Sequence, residues 1–260
     1  MSQAAKFLII IILAFAVLLV WKYAKGRNRL RKSQMTGNSI PGLNDPNEVT
    51  LAFPFGYKTA WLAIRSEDPK AVAAALELQN VQTVNWAYGV WHAVETNDYQ
   101  IFVTPSVKGW VLAVCIPFLF EADQHQEKRI TTLSKQFGEA QFFASMRVSD
   151  AYLWARARNG KLVRLFYEGD GKRRTEGDET SEEKQLNFKF FDASSPESNQ
   201  PGYWQRKDLT FPDELKVLKV ADNWSIDPSK LDQMGLAPAF GLLGSPSASY
   251  APNPKWPKRH

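Results

Sequence analysis

The stretch AYLWARARNGKLVRLFYEGDGK, residues 151–172, constrains the fold more than any other part of the chain. Asn159 and Gly160 sit between two runs of alternating side chains. A type I′ turn needs positive φ at both central residues, and Asn-Gly meets that need with little strain. An antiparallel hairpin is therefore predicted. Its first strand carries Leu153, Ala155 and Ala157 on one face and Tyr152, Trp154, Arg156 and Arg158 on the other, because successive side chains of a strand point to opposite sides.

The chain on either side supplies more elements. Residues 59–66 and 99–105 read as strands. So does GWVLAVCI, 109–116, whose lack of alternation predicts burial on both faces. Residues 66–79 begin a helix capped by Ser66 or Asp68, with Pro69 in its first turn. Residues 125–138 form another, ended by Gly138. EAQFFASMR continues as a strand. GDETSEEKQL opens a short acidic helix, and residues 211–224 form a helix capped around Pro212 and Asp213. VQTVNWAYGVWHAV, 81–94, fits neither period well. The expected fold is α+β: an antiparallel or mixed sheet with flanking helices, in one domain over residues 50–232. Residues 33–49 are rich in Gly, Pro and Asn and read as a linker. Residues 233–260 lack a sustained period and read as a disordered tail.

Residues 7–21 are fifteen apolar residues without charge or Pro. That is short for a hydrocarbon core of about 30 Å, but Lys6 and Lys22 can snorkel from its ends. The flanks favour an uncleaved anchor over a cleaved signal, because no small-residue cleavage site follows and the only Cys is Cys115. One transmembrane helix is thus expected within residues 1–32. Lys22, Lys25, Arg27, Arg29, Arg31 and Lys32 follow it, against Lys6 alone before it. Positive flanks stay cytoplasmic, so the carboxy-terminal part is expected in the cytoplasm. The same six cations add a hold on anionic headgroups, about 1 kcal/mol each near the surface.

This cluster also accounts for the formal charge of +5. Residues 1–32 hold seven Lys or Arg and no acid, which leaves 25 basic and 27 acidic side chains, net −2, in the other 228 residues. A nucleic-acid partner is not expected from such a balance. A single Cys excludes an internal disulfide and suits a reducing compartment. Cys115 lies in an apolar context and reads as a packing residue.

The search for catalytic chemistry yields none. His92, His125 and His260 have no metal-ligand spacing with one another or with Cys115. Nucleotide loops and the nucleophile elbow are absent. The acidic stretch at 168–183 is interrupted by Lys172, Arg173 and Arg174 and lacks the order of a calcium loop. No cofactor or metal is expected.

Two clusters are candidate partner-binding surfaces. Trp86, Tyr88 and Trp91 form either an exposed recognition ridge or, as large aromatics usually do, part of the core beside a bend at Gly89. Arg156 and Arg158, with Arg147, Arg164, Asp150 and Glu168, form either a polar groove for an acidic partner or cross-strand ion pairs on a wet face.

VTPSVKGWVLAV, LSKQFGEAQFFASMRVSDAYLWARARNGKLVRLFYEGDG, GDETSEE and VADNWSIDPSKL together resemble an uncharacterised bacterial domain over much of residues 57–232. The resemblance implies one continuous domain that includes the last helix and NWSIDP. It implies no catalytic activity, and the anchor in front departs from its pattern. The expected location is the bacterial inner membrane, single-pass, with the domain cytoplasmic. The expected function is a membrane-tethered protein-binding module, an immunity-like protein being one form of it. The alternative is a membrane-anchored enzyme of unrecognised type, and the absence of a catalytic motif weighs toward the binder.

Overall fold

Asn159 and Gly160 adopt φ values of 48° and 79°, the pair of positive angles that a type I′ turn requires. Strands β6 (Ala151–Arg158) and β7 (Lys161–Gly169) run from it, with Arg158 opposite Lys161. The computed structural model describes residues 40–96, 99–114, 123–169 and 171–247. The anchor and basic flank expected over 1–32, and Cys115, lie outside those residues. Among the described residues no helix is long and apolar enough to cross a membrane.

The hairpin belongs to a nine-stranded sheet. Its other strands are β1 (Ala60–Arg65), β2 (Gln79–Val84), β3 (Ile101–Val103), β4 (Trp110–Val114), β5 (Glu139–Met146), β8 (Lys172–Glu176) and β9 (Gly241–Ser245). The order is β2-β9-β3-β4-β1-β5-β6-β7-β8, and every pair is antiparallel. The helices are α1 (Pro69–Ala75), α2 (Trp86–Val94), α3 (Asp123–Phe137), α4 (Ser181–Leu186) and α5 (Glu214–Trp224). The expectation of an α+β fold is met.

Both faces of the sheet are covered. On one, Leu62, Ile64, Val111, Phe142 and Ala155 pack against Val72 of α1 and Ile130 and Leu133 of α3. On the other, Trp61, Phe102, Phe143, Trp154 and Phe166 pack against Trp86 and Val90 of α2 and Val217, Ala221 and Trp224 of α5. This explains the uninterrupted apolar run of β4, whose five residues are all buried. It also sorts β6 as its alternation predicts, with Leu153, Ala155 and Ala157 under α3 and Tyr152 and Trp154 on the opposite side.

Local signals explain the ends. Asp68 caps α1 by accepting from the amides of Lys70 and Ala71 at 2.8 and 3.2 Å. Helix α1 is shorter than expected, because Glu77 takes a left-handed φ of 52° and turns the chain into β2. Thr180 and Glu183 cap α4 reciprocally, and the Asp213 carboxylate accepts from the Lys216 amide at the start of α5.

Four sequence readings are revised. The ambiguous segment 81–94 is a strand and a helix joined at Asn85. That buried side chain accepts from the Tyr88 amide at 2.9 Å and donates to the carbonyls of Gly42 at 3.0 Å and Asp45 at 2.7 Å. The same bonds fasten part of the expected linker to the domain. Gly89 is no bend: it lies inside α2, where a Cβ would come within 2.1 Å of the Phe102 ring. The tail is not disordered throughout, since β9 inserts between β2 and β3. Its glycines hid it. At Gly241 a Cβ would come 2.5 Å from the same Phe102 ring and from the Val103 carbonyl, so side-chain-free backbone is a packing requirement there.

Candidate functional site

The five proposed recognition residues do not share a surface. Trp86 is buried, stacked edge-on to Phe102, while Tyr88 and Trp91 are half-buried. The aromatic cluster is therefore largely core. Arg156 is buried too, on the face covered by α4 and α5. Its Nε donates to Glu139 at 2.6 Å and its Nη1 to Glu182 at 3.0 Å, with the guanidinium over the Trp224 ring. Arg158 is exposed and paired with Glu139 at 2.8 Å. The Arg cluster is thus an ion-pair network that is buried at Arg156 and Arg164, where α4 and α5 cover the face, and wet at Arg147 and Arg158. Arg164 completes the network. Its Nε donates to the Glu183 carboxylate at 3.0 and 3.2 Å, and that carboxylate also accepts from the Trp154 indole at 2.8 Å. The six cations from Lys22 to Lys32 lie outside the described residues.

A different place gathers open polar groups. A cleft of about 560 Å³ opens where β5 turns into β6 and β7 into β8, walled by residues 192–194 and 211–212. Arg173 on β8 builds one wall. It donates to Glu168 and to the Phe191 carbonyl, reaches Asp192 at 3.8 Å, and lies over the rings of Phe166 and Phe190. These contacts clamp the long connection 187–212 onto the hairpin. The connection also closes on itself. The Phe191 amide donates to the Thr210 carbonyl and the Thr210 amide to that of Lys189, both at 2.9 Å, while the Tyr203 hydroxyl accepts from the Asp192 amide at 2.7 Å.

At the mouth, apolar rings face solvent. Buried Phe191 is the base on which Tyr203, Trp204 and Phe211 pack, at 5.6, 5.5 and 4.9 Å. Trp204 and Phe211 lie within 9° of parallel and remain 46% and 55% exposed. The Trp204 indole nitrogen is fixed by a hydrogen bond to the Ser198 carbonyl at 3.1 Å.

Inside the cleft, Tyr152 is only 7% exposed, and its hydroxyl makes no hydrogen bond among the described residues. Burial first, then the charges of Asp150, Glu214 and Asp213, push the phenol up to about 12, against a smaller opposing effect of Arg147. It therefore stays protonated at neutral pH and acts as a donor. Asp150 lies two residues before it, at the exposed tip of the β5–β6 turn. Asp192 is held below the usual carboxylate range, chiefly by hydrogen bonds from Ser194. Among the described residues no three His, Cys, Asp or Glu converge as metal ligands.

Sequence reasoning reached only Asp150 and Glu168 of this site, as members of a possible polar groove around the Arg cluster. Tyr152 was placed on the correct strand face, but nothing local separates it from Trp154. Trp204 and Phe211 stand in a stretch rich in Gly, Pro and charge whose packing depends on Arg173 far away in the chain. Compared with known proteins, the chain matches no protein family, no curated protein and no solved structure. The site must therefore be read from its own chemistry.

Proposed function

We propose that the chain is a protein-binding module, tethered through residues 1–32 to the bacterial inner membrane with its domain on the cytoplasmic side. Its partner engages the Trp204–Phe211 stack and the cleft beside it. The exposure of two large parallel rings on a buried aromatic base carries this reading. Such rings bring contact area at little entropic cost, because their orientation is already fixed, and aromatic anchors of this kind dominate interface energetics. The titratable groups of the cleft support recognition over catalysis. Tyr152 is held protonated, while Glu168 and Asp192 are engaged by Arg173 and Ser194. The remaining carboxylate of the lining, Asp150, stands exposed on the β5–β6 turn.

Photocrosslinking tests the proposal. A benzophenone side chain placed at Lys207, beside the stack, in the full chain in native membranes is expected to capture one discrete protein. Trp204→Ala with Phe211→Ala should reduce capture at least tenfold. Absence of any discrete adduct, or capture unchanged by the double substitution, overturns the reading.

A further inference from the structure

One side chain holds residues 188–211 to the rest of the molecule. Among the described residues, every hydrogen bond or ion pair that runs from this connection to another part of the chain ends on Arg173. The other polar contacts of the connection are its own. The Phe191 and Thr210 amides zip its neck, the Tyr203 hydroxyl accepts from the Asp192 amide, and the Trp204 indole donates to the Ser198 carbonyl. The rings divide in the same way. Phe188 and Phe190 pack on the core that α2 and α5 cover, whereas Phe191 and Tyr203 are buried yet belong to neither core of the sheet. With Trp204 and Phe211 they make a satellite cluster.

Arg173 joins the two clusters. Its guanidinium lies over Phe166 and Phe190 at 5.5 and 5.9 Å, and it donates to the carbonyl of Phe191, where the satellite begins. Glu168 on β7 holds the same guanidinium from the other side, and the Arg173 side chain is 16% exposed. Without Arg173 the Phe191 carbonyl keeps no donor among the described residues. A segment with few contacts to the core opens at lower cost than the whole domain. We infer that residues 191–211 open and close as one unit, and that Arg173 is the positioning residue that latches the Trp204–Phe211 stack in place. The opening goes beyond the function proposed above; the latch's part in recognition rests on that reading. Lysine cannot replace this latch fully, because an ammonium is a point charge without the planar fork that reaches Glu168 and Phe191 together.

Native-state hydrogen exchange of the full chain in detergent micelles, followed by NMR over a range of urea below the unfolding transition, tests the unit. In the native chain the Phe191, Asp192 and Thr210 amides and the Trp204 indole are expected to exchange through an opening with a shallow urea dependence, shared by all four. Amides of β5 and β6 should follow the steep dependence of global unfolding. Arg173→Ala is expected to speed exchange at the four strap groups by about tenfold more than at β5 and β6, and Arg173→Lys by an intermediate factor. Strap groups that follow the steep urea dependence of the core in the native chain would overturn the separate unit, and this arm needs no variant to fold. Equal acceleration of strap and core by Arg173→Ala would overturn the latch. The crosslinking described above then reads recognition: Arg173→Ala should cut capture at Lys207 about fivefold, with Arg173→Lys in between. Accelerated strap exchange with undiminished capture would overturn the positioning role. If the native chain captures no partner, the binding-module reading fails, and the exchange data still decide whether the strap opens as a unit.

Discussion

Glu183 is the side chain on which the covered end of the hairpin depends most. Its carboxylate accepts from the Trp154 indole at 2.8 Å, from Arg164 Nε at 3.0 and 3.2 Å, and from the Thr180 amide at 2.9 Å. The Arg164 and Glu183 side chains are 5% and 6% exposed, so neither charge has water to fall back on. Glu183→Ala leaves a buried guanidinium whose remaining described bond is to the Gly177 carbonyl at 3.0 Å. Removing one partner of a buried pair costs about 3–5 kcal/mol, and the lost cap and the orphaned indole overlap with that figure, so about 4 kcal/mol is expected. Replacing both charges, Arg164→Met with Glu183→Leu, removes the uncompensated cation and should recover about 2 kcal/mol of that loss. Urea unfolding in mild detergent, followed by tryptophan fluorescence, reads both through the midpoint at constant slope. A Glu183→Ala cost below about 1 kcal/mol, or a double variant no more stable than that single one, refutes the reasoning.

Two more measurements bear on the fold. Burial works against the charge of Glu182, but hydrogen bonds from Arg156, its own amide and Ser181 outweigh it and hold the carboxyl at about 2. A depressed folded pKa gives stability that is present above the unfolded value of about 4.3 and lost as pH falls toward the folded one. The stability gap between the native chain and Glu182→Gln should therefore be full at pH 6 and close between about pH 4.5 and 2; a pH-independent gap in urea midpoints would contradict this. Deleting residues 246–260 should leave the melting temperature nearly unchanged, while deleting 236–260 removes β9 and should abolish the cooperative transition in calorimetry; equal behaviour of the two truncations would show that β9 contributes little.

Much of the fold was legible because its signals are local. The hairpin rests on two adjacent residues with positive φ, α1 on Asp68 and Pro69, and α3 on the left-handed Gly138 that follows it. What could not be read depends on distant chain. Asn85 divides a strand from a helix because residues 42–45 supply carbonyls for its side chain. Composition marks 233–260 as unstructured, yet Gly241 is glycine because Phe102 leaves no room for anything larger. The site was least legible of all. Arg156 and Tyr152 occupy equivalent positions on one strand face, and only the segments lying above decide that one is sealed in ion pairs and the other opens into a cleft.

The place of β9 has a consequence during synthesis. Strand β2 is joined to the sheet through β9, and β3 has β9 on one side. Until residue 245 has emerged, Ile101–Val103 presents an unpaired, wholly apolar edge, and the finished β2 has nothing to pair with. Unpaired apolar edges are templates for association, and pairings between distant parts of a chain form late. Any sheet that forms on the nascent chain before residue 245 is made therefore keeps this edge open. Closure comes in one late step that fills the gap between two strands made more than a hundred residues earlier.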